Sequence, residues 1–317
     1  MNSVNALRWH DVAMNRPFTL TQLRYFAAVV RLRSMTGAAA ELLVTQSAVS
    51  TAVAELEKAV GAQLFVRNRT AGLKLTRAGA RFAREIDGFL DHAERLYASA
   101  RGLSATMSGT LAVGVFAPLA PFRLPVILQE FHTRFPDVEV TFLEADLETL
   151  RTALLDGQID VAIMYRLGLD SRFQATVVER IPPHVLVAAS HPAAQTPDAP
   201  VALQEFAHEP LVQLDLPLSR EYYDSLHQAA GIVPRVAYRF SGYETVRSFV
   251  AQGYGYALLS QRVASDVPYS GGRVVPLALE DDLPPIEVAL VRSAAITPTA
   301  RTLAFEEVSS DYYAAAT

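Results

Sequence analysis

Between Phe18 and Thr76 the chain sets out three helix starts, each with its own cap, and then a short strand pair; that order limits the fold more than any other feature. In Phe18-Thr19-Leu20-Thr21-Gln22-Leu23, Thr19 can N-cap a helix, Gln22 can complete a capping box and Phe18 can staple onto Leu23. The apolar face continues through Phe26, Val29 and Val30. Arg31 to Ser34 then supplies a break, with Ser34 as the next cap. A second helix, through Ala38, Ala39 and Ala40 to Leu42 and Leu43, presents small side chains where another helix can cross closely. A third starts at the cap Thr45 and stops near Gly61, the residue preferred just past a helix end. Its Val49, Val53, Leu56 and Val60 recur at steps of four, three and four and share one buried face.

The opposite face of the third helix carries Ser47, Ser50, Thr51 and Ala54, with Gln46 at its start. Short side chains let the backbone approach another surface while offering donors and acceptors, which suits base edges in a major groove. The plainer reading is a surface helix that happens to carry Ser and Thr, poor helix formers usually spent on caps. The helix-turn-helix spacing of the three helices argues against it. After them, Leu64-Phe65-Val66-Arg67 and Leu73-Lys74-Leu75 read as a hairpin around Ala71-Gly72, placing Arg67, Arg69 and Lys74 on a wing.

Charge supports a polyanion-binding N-terminus. Residues 1–108 hold 14 Lys and Arg against 8 Asp and Glu, a balance of +6, whereas the remainder stands at −11 within a total of −5. There are no cysteines among the 317 residues, which removes disulfides, thiolate metal sites and a cysteine nucleophile together. Met1 to Pro17 lacks the apolar run of a signal peptide, and no stretch reaches the roughly 18 apolar residues of a membrane span. A soluble, cytoplasmic protein without a membrane role is expected.

From Thr76 the sequence reads as one long helix. Phe82, Ile86, Phe89, Ala93, Leu96, Ala100 and Leu103 alternate steps of four and three, a heptad seam flanked by charged residues, and are expected to form a dimer interface. The alternative is one amphipathic helix packed on its own domain. A dimer has a purpose here, because two recognition helices reading half-sites about 34 Å apart need a two-fold partner.

Beyond Gly109 the pattern alternates strands and helices, predicting an α/β fold with a mainly parallel sheet. One lobe's worth is Thr110–Phe116, Phe122–Phe135, Val138–Leu143, Leu147–Leu155 and Asp160–Met164. A second set is Val185–Ala189, Leu211–Leu214, Arg220–Ala230, Arg235–Phe240, Tyr243–Gln252 and Tyr256–Ser260.

These stretches together resemble the LysR-type transcriptional regulators. In the first part the resemblance rests on Leu23-Arg24-Tyr25-Phe26, Ser34 with Ala38-Ala39, Gln46-Ser47-Ala48-Val49-Ser50, Leu56-Glu57, Gly61, Leu64-Phe65-Val66-Arg67, and Leu75-Thr76 with Ala78-Gly79. In the second it rests on Gly109-Thr110-Leu111, Phe135-Pro136-Asp137-Val138, the run Leu155 to Ile163, His191-Pro192 and Val250 to Gly255. The resemblance implies a winged helix-turn-helix over residues 18–77, a linker helix over 78–108 and a periplasmic-binding-protein-like effector domain over 109–317. The first lobe would take about 109–181 and 294–317, the second about 182–293. It also implies that Gln46, Ser47, Ser50 and Thr51 face the major groove, that Arg67 and Arg69 contact phosphates or a minor groove, and that dimers pair into a tetramer.

In such α/β lobes ligands sit beyond the carboxyl ends of the strands. That rule points to Phe116, Pro118 and Leu119 after the first strand, Ala145 and Asp146 after the second, and Tyr165 and Arg166 after the third. From the second lobe it points to Asp215, Pro217, Ser219 and Arg220, and to Ser241, Tyr243 and Glu244. The mixture suits a small organic effector with an apolar body and one polar end. Arg220 could hold a carboxylate, or it could pair with Asp215 or Glu221; Asp146, Asp215 and Glu244 could instead favour a cationic or hydroxylated effector.

The function expected is a DNA-binding transcriptional regulator with promoter DNA, a small effector and its own copies as partners, and RNA polymerase as a further one. A stand-alone solute-binding protein would explain residues 109–317 and leave the basic wing without a purpose. An enzyme is not expected: the seven histidines are scattered, and no metal spacing, nucleophile elbow or phosphate loop occurs. Neither a catalytic nor a metal site nor a cofactor is expected.

Overall fold

The computed structural model describes residues 18–68, 72–100 and 107–316, and the chain divides near residue 105 into two compact units. In the first, α1 (Leu20–Leu32), α2 (Met35–Glu41) and α3 (Gln46–Val60) precede β1 (Phe65–Asn68), β2 (Gly72–Leu75) and the long α4 (Arg77–Ala100). Each predicted cap is in place. The Thr19 hydroxyl accepts from the Gln22 amide and the Gln22 side chain accepts from the Thr19 amide. Ser34 accepts from the Gly37 amide, Thr45 from the Ala48 amide, and Gly61 ends α3 in the left-handed region at φ 71°. These bonds satisfy amides and carbonyls that a helix end would otherwise leave open.

Phe26, Val29, Ala38, Val49, Val53 and Leu56 are buried together, so the three helices close on one apolar core. The hairpin is antiparallel, from Phe65 opposite Leu75 to Asn68 opposite Gly72, and the Glu57 carboxylate receives the Leu64 and Phe65 amides at 2.7 and 3.0 Å. Gly79, in the first turn of α4, lies against this hairpin: a Cβ there would sit 2.0 Å from the Leu64 carbonyl oxygen, which only glycine avoids.

At its first two positions the seam expected on the long helix packs on the helix's own domain. Ile86 is 4% exposed within the core of its own domain, and the Phe82 ring meets Phe26 edge-on at 5.6 Å and Phe18 at 6.2 Å. Both residues therefore hold α4 onto the three-helix core, Ile86 buried and Phe82 partly buried. Phe89 is different, at 55% exposed. Ala93 is half-buried; the side chains of Leu96 and Ala100, and all of Leu103, lie outside the described residues.

The second unit has two lobes. In the first lobe, β3 (Gly109–Phe116), α5 (Ala120–Arg134), β4 (Val138–Ala145), α6 (Leu147–Asp156), β5 (Val161–Tyr165) and β6 (Phe173–Ile181) follow in order. The second lobe contains β7 (His184–Ala188), β8 (Pro210–Leu214), α7 (Ser219–Ala229), β9 (Arg235–Phe240), α8 (Tyr243–Ala251), β10 (Ala257–Leu259) and β11 (Val274–Ala278). The chain then returns to the first lobe as β12 (Ile286–Ser293) and α9 (Ala300–Ala316).

The first-lobe sheet has the order β4-β3-β5-β12-β6. Strand β3 is parallel to β4 and β5, whereas β12 is antiparallel to β5 and β6. In the second lobe β10-β7-β11 is antiparallel and β8-β9 parallel. The expected mainly parallel sheet is thus mixed, because the chain re-enters the first lobe in the opposite direction. The same return corrects the lobe boundary: residues 286–293, assigned to the second lobe, pair inside the first.

Candidate functional site

On α3 the buried and exposed faces separate as the spacing requires. Val49, Val53 and Leu56 face inward; Gln46, Ser47 and Thr51 are exposed and Ser50 is half-exposed. The Thr45 and Ser47 hydroxyls lie 3.0 Å apart at the start of the helix. This face is short, polar and uncharged, so a groove with base edges can come close to the helix backbone. Lys74 is exposed on β2. Arg67 lies on β1; its side chain, and the whole of Arg69, lie outside the described residues.

In the second unit the rule of strand carboxyl ends brings part of the predicted set together. Phe116, Leu119 and Tyr165 are buried, with the Phe116 and Tyr165 rings 4.9 Å apart, and Pro118 is buried beside them. Asp146 is spent as the N-cap of α6, where its carboxylate accepts from the Thr149 amide at 2.8 Å. Tyr243, opening α8, is half-buried; its ring meets Phe122 of the first lobe at 5.9 Å and its hydroxyl donates to the Gln261 carbonyl oxygen.

Other members of the set turn elsewhere. Arg220 pairs with Asp215 at 3.1 Å and approaches Glu221 at 3.8 Å, the ion-pair alternative of the sequence reading. Asp215 also approaches Arg239 at 3.9 Å. Pro217 and Ser241 are exposed, whereas Ser219 is buried. Arg166 pairs with Glu287 at 2.8 Å and Glu244 with the buried Arg247 at 2.7 Å.

Gln261 is the residue that sequence reasoning missed. It is 2% exposed, and its Nε2 donates to the Tyr165 hydroxyl at 3.2 Å, from one lobe to the other. The neighbouring Ser260 hydroxyl accepts from Tyr223 at 3.3 Å. Both follow β10, so the rule that located Tyr165 would have found them had it been applied to that strand too. Burial pushes the Tyr165 phenol well above its ordinary value, raises Tyr243 in the same direction and takes Tyr223 up to about 12. These hydroxyls are neutral donors and acceptors at any physiological pH.

Residues 20–80 match the family described as bacterial regulatory helix-turn-helix protein, lysR family, and residues 104–313 match the LysR substrate binding domain. The chain belongs to the LysR family. Among its relatives, the HTH-type transcriptional regulator CfxR of Cupriavidus necator is 34% identical over 257 residues, covering 77% of this chain and 76% of CfxR. A putative LysR family regulator from Pseudomonas aeruginosa, solved as a crystal structure, is 30% identical with TM-score 0.63 over 94% of this chain and 99% of that one. The C-terminal domain of a probable LysR family regulator from Rhodococcus sp. RHA1 is 36% identical with TM-score 0.62, over 64% of this chain and all but 1% of its own.

This LysR-family chain is accordingly a DNA-binding transcriptional regulator with a two-lobed effector domain. LysR regulators bind DNA through the first of these domains and a small effector through the second. Among the described residues no helix is long and apolar enough to cross a membrane, and no group of three or more His, Cys, Asp or Glu could hold a metal ion.

Proposed function

We propose that α3 reads an operator through Gln46, Ser47, Ser50 and Thr51 in the major groove, while Arg67, Arg69 and Lys74 of the wing contact phosphates or the adjacent minor groove. The observation that carries this is the division of α3 into an apolar buried face and a short, polar exposed one. Two such helices reading one site require a two-fold assembly. Phe89 is the seam position best placed to contribute to it, because its ring is exposed on the face that continues from Ile86. The pairing of dimers into tetramers, contact with RNA polymerase, a cytoplasmic location and the lack of any catalytic role complete the reading.

The effector binds between the lobes, where Phe116, Leu119 and Tyr165 approach Tyr243 and Gln261. It acts by population shift: it favours one arrangement of the lobes, and the linker helices transmit that preference to the spacing of the DNA-binding domains. Pull-down of genomic fragments with the purified protein, followed by a salt titration on the best fragment, tests the DNA half. One short inverted repeat near a promoter, bound with affinity that falls steeply as salt rises, is the expected result. No enrichment over random DNA, with or without cell metabolites, would sink it.

A further inference from the structure

Building on the interlobe reading just proposed, we infer that the effector is a small organic acid. Its carboxylate takes the place of the Leu218 side chain, between Arg151 of one lobe and the start of α7 in the other. The sequence leaves an anionic and a cationic effector both open. Three features of this junction go unrelieved within the protein, and one carboxylate answers all three.

The first is a cation. Arg151, on α6, is half-buried; its Nε is buried without a hydrogen-bond partner, and among the described residues no carboxylate forms an ion pair with its guanidinium. The guanidinium lies over the Phe173 ring at 5.7 Å. Its charge also reaches Asp170, but both Asp170 oxygens are bonded to Arg172 at 2.7 to 3.1 Å. Other carboxylates around the cleft are partnered too: Asp146 caps α6, Glu287 holds Arg166, Asp215 holds Arg220, and Glu244 holds Arg247.

The second is a donor. Ser219, the first residue of α7, is 1% exposed, and its hydroxyl is buried without a hydrogen-bond partner. No side chain caps this helix, so the amides of its first turn add to the donors that face an anion. The third is Leu218, which stands at φ 67° and ψ −32°, a strained backbone for any residue with a side chain. Leu218 reaches from the start of α7 toward Arg151. The position that a Cβ would take on Gly168 lies 3.2 Å from both Leu218 methyl carbons and 3.3 Å from Arg151 Nη1.

Leu218 therefore acts as a plug. It is half-exposed itself, and Pro217 and Gly168 beside it are exposed, so the place it fills is reached from the surface. When its backbone relaxes to negative φ the isobutyl group withdraws. A carboxylate is no larger than that group, and it can accept from the guanidinium on one side and from the Ser219 hydroxyl on the other. Hydrogen bonds between a guanidinium and a carboxylate are among the strong ones. An ammonium would set like charge beside Arg151, and a neutral amide would leave the guanidinium unmet. The plugged and unplugged states are two arrangements between which the anion selects.

The test titrates the full-length protein calorimetrically, at one ionic strength, with three probes that share a benzyl body: phenylacetate, phenylacetamide and 2-phenylethylamine. The carboxylate should bind about tenfold or more tightly than the amide or the amine. Arg151→Gln should abolish that margin and leave the urea midpoint unchanged, because no ion pair is lost. Ser219→Ala should weaken the carboxylate several-fold, and Leu218→Gly, which removes plug and strain together, should tighten it several-fold. In parallel, a bacterial small-molecule extract is divided on anion- and cation-exchange resins, and the fraction held by the anion exchanger should shift the melting temperature and change operator affinity. The amide or amine binding tightest, the activity passing through the anion exchanger, an affinity unmoved by Arg151→Gln or one weakened by Leu218→Gly overturns the inference and leaves the interlobe site standing. A protein that responds to no probe and no fraction overturns that site reading as well.

Discussion

The Gln261 side-chain amide donates to the Tyr165 hydroxyl at 3.2 Å, joining the segment after β10 in one lobe to the last residue of β5 in the other. Both side chains are buried. Removing the acceptor leaves a buried donor unmet, which costs about 1–3 kcal/mol. Tyr165→Phe should therefore lower the stability of the effector domain by that amount in urea denaturation and enlarge the protein in small-angle scattering as the lobes part. A variant as stable and compact as the parent would show that the contact does not hold the lobes together.

Ser50 lies on the polar face of α3, half-exposed beside the buried Val49. Ser50→Arg should abolish specific operator binding and leave the oligomer unchanged. Mobility-shift and sedimentation measurements on one preparation check both halves, and normal operator affinity would remove α3 from the groove.

Ile86 and Phe89 stand on the same long helix and should behave differently. Ile86→Asp places a carboxylate in the winged-helix core and should unfold that domain, a loss of about 3–5 kcal/mol or more. Phe89→Ala should leave the domain folded and weaken self-association. Circular dichroism and sedimentation velocity separate the two, and equal effects at both positions would contradict the burial pattern.

Gly79→Ala drives a methyl into the Leu64 carbonyl oxygen. Helix α4 or the hairpin must then shift, and a loss of about 1–3 kcal/mol is expected from such overpacking. Thermal melting of the variant beside a substitution at the exposed Ala78 measures the difference.

His184 opens β7 and is buried; burial first, and the Arg262 charge second, push its imidazole down to about 3. Its folded value lies below the unfolded value of about 6.5, so the unfolded chain binds the extra proton between them. Stability is then fully present above about 6.5 and declines as pH falls toward 3, at up to about 1.4 kcal/mol per pH unit. His184→Phe should flatten the urea midpoint across that window, whereas an unchanged pH slope would mean that the imidazole is not held neutral.

Much of this was legible in the sequence because it is local. The caps Thr19, Ser34 and Thr45 and the stop at Gly61 act within a few residues of themselves, and each is where the spacing placed it. What the sequence hid depends on distant partners. The seam through Phe82 and Ile86 has the same periodicity whether a second chain or the domain's own core covers it, and only tertiary packing separates the two. Strands β6, β11 and β12 and helix α9 were not read at all. For β12 the cause is its nearly continuous burial between β5 and β6, which erases the alternation that marks a half-exposed strand. In the cleft, the rule of strand ends located Tyr165 and Tyr243, but the ion pair that occupies Arg220 depends on how its neighbours pack.

The late return of β12 also sets a timetable for synthesis. Strand β6 has β12 as its sheet neighbour, and more than a hundred residues separate Phe173 from its partner Ser293. While a ribosome is still making the second lobe, the first holds β5 and β6 with open edges that no local segment can cover. The second lobe, whose strands pair among themselves, can fold as an insert before the domain around it is finished. Chains released before residue 286 would expose those edges, and the nascent first lobe is where a holding chaperone would be needed.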